Sequence, residues 1–315
     1  MAIYNAHTAI GQREDLSDVI YNIAPTETPF QSSIGKTKAT AVYHEWQTDS
    51  LAAATTANAA VEGADASDAT LTPTVRLGNY TQILQKTIKV SGTLDTVNKA
   101  GRKSEKAYQL AKASQELKRD LETILLANQG RDAGSSNSTA RKMGGLLSWI
   151  KTNSSAQTNG AAPTTIGVST RTDGNTRTFT ETLLKTVVAN VFDAGGTPSV
   201  LMVGSAGKQK VSSFAGIGAT RFNVTGNKPS TIIGAADIYV SDFGNISVVP
   251  NRFMRTRDAL LIDPEYAAVA YLRPFQTNEL AKAGDADKTQ ILVECTLEVK
   301  NEAAHGIVAD LDMSL

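Results

Sequence analysis

The segment Gly204-Ser-Ala-Gly207-Lys208-Gln209 comes nearest to a reactive arrangement in this chain, because it places glycines and a lysine between a predicted strand and a predicted helix. A loop that cradles phosphate would carry Gly where Met202 stands and Ser or Thr where Gln209 stands. Without them the amide cradle and the metal-ligating hydroxyl are both missing, and the segment reads as a strand-to-helix turn capped by Ser205. Cys295 and His305 could be paired as nucleophile and base. However, Cys295 falls on the apolar face of a predicted strand, where a free cysteine packs as a small hydrophobe, whereas catalytic thiols sit in accessible, electropositive surroundings. His7, His44 and His305 lie far apart without metal-ligand spacing. Asp15 with Asp18, and Glu302 with Asp310 and Asp312, form no constellation that demands a metal, and such carboxylates mostly serve as caps or stay solvated. The residues therefore assign no catalytic, cofactor-binding or metal-binding site.

Charge placement points elsewhere, to contacts between chains. From Asp49 onward the sequence carries Glu62, Asp65 and Asp68 and has no Lys or Arg until Arg76, while Lys99, Arg102, Lys103 and Lys106 crowd the approach to a long predicted helix. An acidic loop lying over a neighbour's basic shoulder would fix register and discourage wrong contacts, which makes Glu62, Asp65, Asp68, Lys99, Arg102 and Lys103 the candidate contact residues. The bland alternative is two unrelated solvated surfaces, since exposed ion pairs contribute under about 1 kcal/mol each.

The stretch 49–79 has no core of its own. Before Tyr80 it offers only Leu51, Val61, Leu71, Val75 and Leu77 as sizeable apolar groups, and it is rich in Ala, Thr and Asp. Loops this long without structure are uncommon in compact domains and are usually functional or disordered. Strands are expected on both flanks, over 40–47 and 81–91, so the stretch reads as a hairpin arm ordered by a neighbour.

Length fits one large or two modest domains. Lys plus Arg and Asp plus Glu are both 31, giving zero formal net charge. That argues against a dedicated nucleic-acid binder, which needs an excess of Lys and Arg, and it removes colloidal repulsion that would oppose self-association. The single cysteine excludes an internal disulfide framework and a Cys-rich zinc site. The start shows no secretory signal, and no apolar run approaches the roughly 18 residues of a spanning helix, so a soluble chain made in a cytoplasm is expected.

The elements follow from periodicity. Leu16, Val19, Ile20 and Ile23 predict a short helix with Asp15 as N-cap, ended by Pro25; the prolines at 25 and 29 hold the next stretch extended. The clearest helix is predicted over 104–127, with Ser104 as N-cap and Leu110, Ser114, Leu117, Leu121, Ile124 and Asn128 forming one stripe widened by Leu125. At about 1.5 Å per residue it would be roughly 36 Å long, a structural spine. Residues 151–178 read as surface loop or weak hairpin. Thr178-Phe-Thr-Glu181 predicts a capping box, opening a helix that buries Leu183, Leu184, Val187, Val188 and Val191 and stops at Gly195-Gly196. A strand over 199–203 and a helix over 206–214 follow. Strands are then expected over 232–241, 246–250, 259–262 and 269–272. The last is the alternating Ile291, Val293, Cys295, Leu297 and Val299, with Glu294, Thr296, Glu298 and Lys300 on a wet face.

Four runs of residues resemble a known family. Leu16-Ser-Asp-Val-Ile-Tyr-Asn-Ile-Ala-Pro-Thr-Glu-Thr-Pro-Phe30, His44-Glu-Trp-Gln-Thr-Asp-Ser-Leu51, Arg76-Leu-Gly-Asn-Tyr-Thr81 and Glu116-Leu-Lys-Arg-Asp-Leu-Glu122 resemble tailed-bacteriophage major capsid proteins. All lie in the first half; in the second half only the order of elements agrees. The resemblance implies the Hong Kong ninety-seven type shell fold, an α+β architecture. Its parts would be an N-terminal arm (1–36), an extended loop with its base strands (37–91), a peripheral domain with the spine helix (92–145), an axial α/β domain (146–249) and returning strands of the peripheral domain (250–315). It also implies a structural, non-enzymatic subunit that self-assembles into hexamers and pentamers of an icosahedral head enclosing double-stranded DNA. DNA would be contacted non-specifically, no cofactor or membrane would be involved, and portal and decoration proteins would be partners.

Two departures bear on that expectation. Some members cross-link through a lysine on the extended loop, yet no lysine occurs between Lys38 and Lys86. Others carry a scaffolding domain ahead of the shell domain; the short arm here implies a separate scaffolding protein or an upstream segment already removed. The residues leave two other functions open: an encapsulin-like nanocompartment shell, and a cytoplasmic nucleotide-binding protein with its site around Ser205 to Gln209.

Overall fold

The computed structural model describes residues 26–63, 65, 68–97, 101, 103–135, 138–214, 237–282 and 284–313. The helix expected over 16–23 with Asp15 as its cap lies outside the described residues, as does the first half, 232–236, of the strand expected over 232–241. In chain order the elements begin with helix α1 (Pro29–Ser33) and strands β1 (Gly35–Lys38), β2 (Tyr43–Thr48), β3 (Val75–Tyr80) and β4 (Gln82–Ser91), then helices α2 (Gly92–Thr96) and α3 (Glu105–Leu125). Short strands β5 (Ser154–Ser155) and β6 (Arg177–Thr178) precede α4 (Glu181–Asp193), β7 (Val200–Val203) and α5 (Ser205–Ser212). The chain closes with β8 (Ile238–Ser241), β9 (Gly244–Pro250), β10 (Ala259–Ile262), β11 (Ala267–Leu280), β12 (Ala286–Val299), β13 (Gly306–Val308) and β14 (Leu311–Asp312).

Two sheets organise these elements. A four-stranded sheet runs β1-β11-β12-β4 and a six-stranded sheet runs β5-β13-β10-β7-β9-β8. The spine helix α3 lies on the first. Ser104 caps it as expected, its hydroxyl accepting from the Ala107 amide, and Leu117, Leu121 and Leu125 join one core with Val293, Cys295 and Leu297 of β12. Helix α4 lies on the second, burying Leu184, Val187, Val188 and Val191 against Leu201, Val203, Ala259 and Leu261. The approach is close: a Cβ on Gly306 would stand 2.6 Å from the Val187 side chain, so only glycine fits there.

Strands β7 and β10 are continuous apolar runs because both faces are covered. Met202, Leu260 and Ile262 point into the core of the spine helix, while Leu201, Val203, Ala259 and Leu261 point toward α4. The strands of 250–315 are thereby shared between the sheets, β10 and β13 going to one and β11 and β12 to the other.

Several local expectations are corrected. The partner of β2 is Val75–Tyr80, almost all of it within the stretch read as lacking a core, and not the strand expected over 81–91, which as β4 pairs with β12 instead. Thr178 lies in β6, paired with Asp312, so it opens no capping box; α4 begins at Glu181 with Thr180 before it and no side-chain cap. Glu181 instead pairs with Lys185 and accepts from the Tyr239 hydroxyl. Ser205 is the first helical residue of α5 rather than its cap, and Gly204 precedes it. The strand expected over 269–272 extends over Ala267–Leu280, with register shifts flanking Arg273, beside Pro274, which has no N–H for a ladder. The second face of β12 is dry: Glu294, Thr296 and Glu298 are buried, because the base of the hairpin and residues 141–144 lie over them.

Candidate functional site

The base of the hairpin is fastened by aromatic contacts and buried polar groups. In the β2–β3 register Tyr43 faces Tyr80, their ring centroids 4.6 Å apart, and the Arg131 guanidinium lies 5.3 Å from the Tyr43 ring centroid. Arg131 also donates to the Gly78 carbonyl. A Cβ on Gly78 would meet the His44 carbonyl at 2.8 Å, so the strand tolerates no side chain there. Trp46 packs on Trp149 of the core, ring centroids 5.3 Å apart.

Beneath these rings lies the polar layer. The Asn79 side chain accepts from the Gly144 amide at 2.8 Å and donates to the Leu297 carbonyl at 2.8 Å, a fully buried bridge between β3, β12 and the chain after the spine. Glu294 accepts from Thr81 at 2.9 Å and pairs with Arg141 and Arg273, each at 2.7 Å. Glu298 accepts from the Thr37 hydroxyl at 2.7 Å and lies 3.2 Å from His44 Nε2. Buried carboxylates need such partners, because an unpaired charge in an apolar interior is strongly disfavoured.

The tip is the opposite. Leu51, Val61 and Leu71 are 98%, 80% and 88% exposed, far more than apolar side chains of this size ordinarily are. The hydrogen bonds there are local: the Ser50 amide to Asp49, the Ala57 amide to the Thr55 hydroxyl. Glu62, Asp65 and Asp68 stand exposed on this loop, and Lys103 is exposed just ahead of the spine helix. Lys99 and Arg102 lie outside the described residues.

The turn of chain at Phe30 and Gln31 is also fastened by one acid. Glu122 of the spine helix is fully buried and accepts from the Phe30 amide at 2.7 Å, the Gln31 amide at 3.0 Å and the Asn251 side chain at 2.7 Å. Burial pushes its carboxyl above the ordinary value, and the hydrogen bonds from Gln31, Phe30 and Asn251 offset part of that.

A further ionic cluster ties the closing turn to the loop before α4. Asp310, buried with φ of 60°, accepts from the Gly174 amide at 2.8 Å and the Gln157 amide at 3.1 Å, and pairs with Arg257 at 3.0 Å. Burial alone would raise its carboxyl, but these amides and the Arg171 and Arg257 guanidiniums outweigh burial and hold it below the ordinary value.

The residues that looked chemical have structural partners. Lys208 donates to the Val248 carbonyl at 2.8 Å and pairs with Asp237 at 3.0 Å, so its ammonium is engaged by the sheet. Cys295 is buried and its thiol is pushed up to about 12 by burial and then by neighbouring Glu294, an unreactive state near neutral pH. Among the described residues no group of three His, Cys, Asp or Glu side chains could hold a metal ion, and no helix is long and apolar enough to cross a membrane.

Sequence reasoning missed Asn79, Glu122, Glu294 and Glu298. Glu122 carried a readable signal, since it sits within the apolar stripe between Leu121 and Leu125. Glu294 and Glu298 alternate with apolar residues as any half-wet strand would, and only the hairpin folded over them makes them buried. The four recognised runs prove to be paired in space. Pro29-Phe30 of the first meets Glu122 of the fourth, and His44 and Trp46 of the second lie opposite Asn79 and Leu77 of the third.

The fold has relatives of known role. The family model described as SU10 major capsid protein matches residues 3–312. The major capsid protein of Escherichia phage Phieco32 is 28% identical over 333 residues, covering 95% of this chain and 94% of that protein. Among solved structures, the capsid of a native GTA particle superposes with a TM-score of 0.64 at 11% identity, over 98% of each chain. The capsid of cyanophage A-1(L) gives 0.64 at 12% identity, again over 98% of each. The SrpI encapsulin of Synechococcus elongatus PCC 7942 gives 0.59 at 10% identity, over 100% of this chain and 98% of that one. At such identities the structural likenesses carry the shell fold alone, shared by phage capsids and encapsulin, and it is the fold that the four runs of residues implied. The sequence match separates the two, for it spans nearly the whole chain: the chain belongs to the SU10 major capsid protein family, the structural subunits of phage virion shells.

Proposed function

We propose that copies of this subunit assemble into the hexamers and pentamers of an icosahedral head, with the hairpin tip and the N-terminal arm reaching over neighbouring copies. The observation that supports this is the contrast within one hairpin: a base locked by Asn79, Glu294 and Glu298, and a tip presenting Leu51, Val61 and Leu71 to solvent. A rigid base aims the tip, and a tip without its own core becomes ordered only when a neighbour covers it. Ordering on contact keeps each contact weak and correctable, which suits closing a large shell without trapped errors.

The acidic tip residues Glu62, Asp65 and Asp68 would lie over the basic approach to the neighbour's spine helix, at Lys99, Arg102 and Lys103. The shell would form first as a procapsid on a separate scaffolding protein, join a portal, accept decoration proteins and then enclose double-stranded DNA held without sequence preference. Zero formal net charge suits dense lateral packing. The domain division of arm, extended loop, peripheral and axial parts is carried forward on the same basis.

The test is deletion of residues 53–69. The expected product is a folded subunit that forms no shells under conditions where the full chain does, read by light scattering and electron microscopy. Normal particles from the deletion would remove the role given to the tip.

A further inference from the structure

The start of α1 lacks the cap that its own sequence should supply. Thr28 stands at the N-cap position with φ of −124° and ψ of 76° and makes no side-chain cap bond, and Pro29 has no amide to satisfy. The next amides, of Phe30 and Gln31, are left without intrahelical partners, as the first turn of any helix is. Both are taken by the carboxylate of Glu122, 92 residues further on, one on each oxygen. Asn251, which follows β9 and is itself buried, donates to the oxygen that also receives Phe30. The Gln31 side chain adds a bond to the Lys118 carbonyl at 2.8 Å, one turn earlier on the spine. Phe30, fully buried, is the apolar plug beneath this knot.

We infer that Glu122 is a positioning residue for assembly: it fixes the root of the N-terminal arm to the spine helix and so sets the direction in which the arm leaves the subunit. The geometry supports this over a purely stabilising role. An apolar side chain at 122 would fill the core at least as well, since burying a charge is costly in itself. What a carboxylate supplies, and an apolar group cannot, is two acceptors that hold two successive backbone amides in one orientation while a third segment fixes the carboxylate. Three parts of the chain that lie far apart in sequence, the arm root, the spine and the turn after β9, are thereby held at one point.

This inference rests on the proposal that the arm contacts neighbouring copies, so deletion of residues 1–25 is made alongside. The full-length chain is compared with Glu122→Ala, Asn251→Ala and a core control, Val188→Ala, which opens a small cavity under α4 far from the arm root. Hydrogen exchange of peptides containing Phe30 and Gln31, trypsin cleavage after Lys36, and the yield of closed shells are read for each. Glu122→Ala is expected to speed exchange and cleavage about tenfold and to cut closed shells by a similar factor. Asn251→Ala should give a smaller change in the same direction, and Val188→Ala should leave all three near wild type. Should Glu122→Ala fail to fold, Asn251→Ala decides by the same readouts. Equal loss of shells in Val188→Ala would reduce Glu122 to a stability residue and overturn the inference. If the arm deletion abolishes shells while Glu122→Ala forms them normally, the lock alone falls; normal shells from the arm deletion would remove both the arm proposal and the lock.

Discussion

At its base, the hairpin of residues 43–80 buries Asn79 completely, stacks Trp46 on Trp149 and lies over two carboxylates of β12 that answer to Arg141, Arg273 and Thr37. At its tip, a short distance along the same chain, Leu51 and Leu71 stand in solvent and the hydrogen bonds are between near neighbours. The base therefore belongs thermodynamically to the subunit, while the tip adds little to it. Buried polar groups with geometric partners specify one orientation, because each has a high cost in any other. Exposed apolar groups specify nothing until a second surface arrives.

The comparison breaks most sharply at the tip. Removing residues 53–69 should abolish shells while leaving the thermal midpoint of the subunit within a few degrees, since almost no tertiary contact is lost. A large drop in the midpoint would show that the tip belongs to the subunit after all.

The base responds in stability. Glu294→Ala leaves Arg141 and Arg273 without their shared acid and Thr81 without its acceptor, and should cost about 3 kcal/mol in denaturant unfolding. A change below about 1 kcal/mol would mean the partly exposed arginines are served by water.

Acid should act on the body of the subunit in the same way. Burial lowers His305 from 6.5 to about 4, so the unfolded chain binds a proton that the folded chain refuses. Stability is then lost as pH falls from about 6.5 toward 4, by up to about 3 kcal/mol. His305→Gln should flatten that part of the pH profile; identical profiles for the two proteins would place the acid sensitivity elsewhere.

Asn79→Ala removes the bridge to Gly144 and Leu297 and should cost about 2 kcal/mol, with shells still forming at reduced temperature. The smallest effect on the isolated subunit belongs to the triple change Glu62→Lys, Asp65→Lys and Asp68→Lys. Unfolding should move by less than about 0.5 kcal/mol, while shell formation weakens, and most at low salt. Unchanged assembly at every salt concentration would remove the acidic tip from the interface.

Much of the fold was legible in the residues. The Leu117, Leu121 and Leu125 stripe behind a Ser104 cap, the runs that became β7 and β10, and the alternation of β12 each carry a local period or cap that needs no partner to be read. The long stretch without a core was legible too, though its boundary was not. Val75–Tyr80 became a strand because β2 lies opposite it, and pairing across residues 49–74 leaves no trace in local sequence. The capping box at Thr178 failed for a similar reason: β14 took Thr178 into a strand pair, and a distant ladder outweighed a local preference.

By itself, then, the amino-acid sequence determined the helices with strong amphipathic period, the apolar strands, the absence of charge imbalance and the family words that mark a shell subunit. Tertiary structure alone decided which acids are dry. Glu294 and Glu298 have the same side chain as Glu62, and nothing adjacent to them in sequence separates lock from surface, while the apolar stripe around Glu122 hints at burial without naming its partners. The difference lies in what the rest of the chain lays over them, because burial and hydrogen-bond partners are properties of contacts between residues far apart in sequence, such as Phe30 with Glu122 and Thr37 with Glu298.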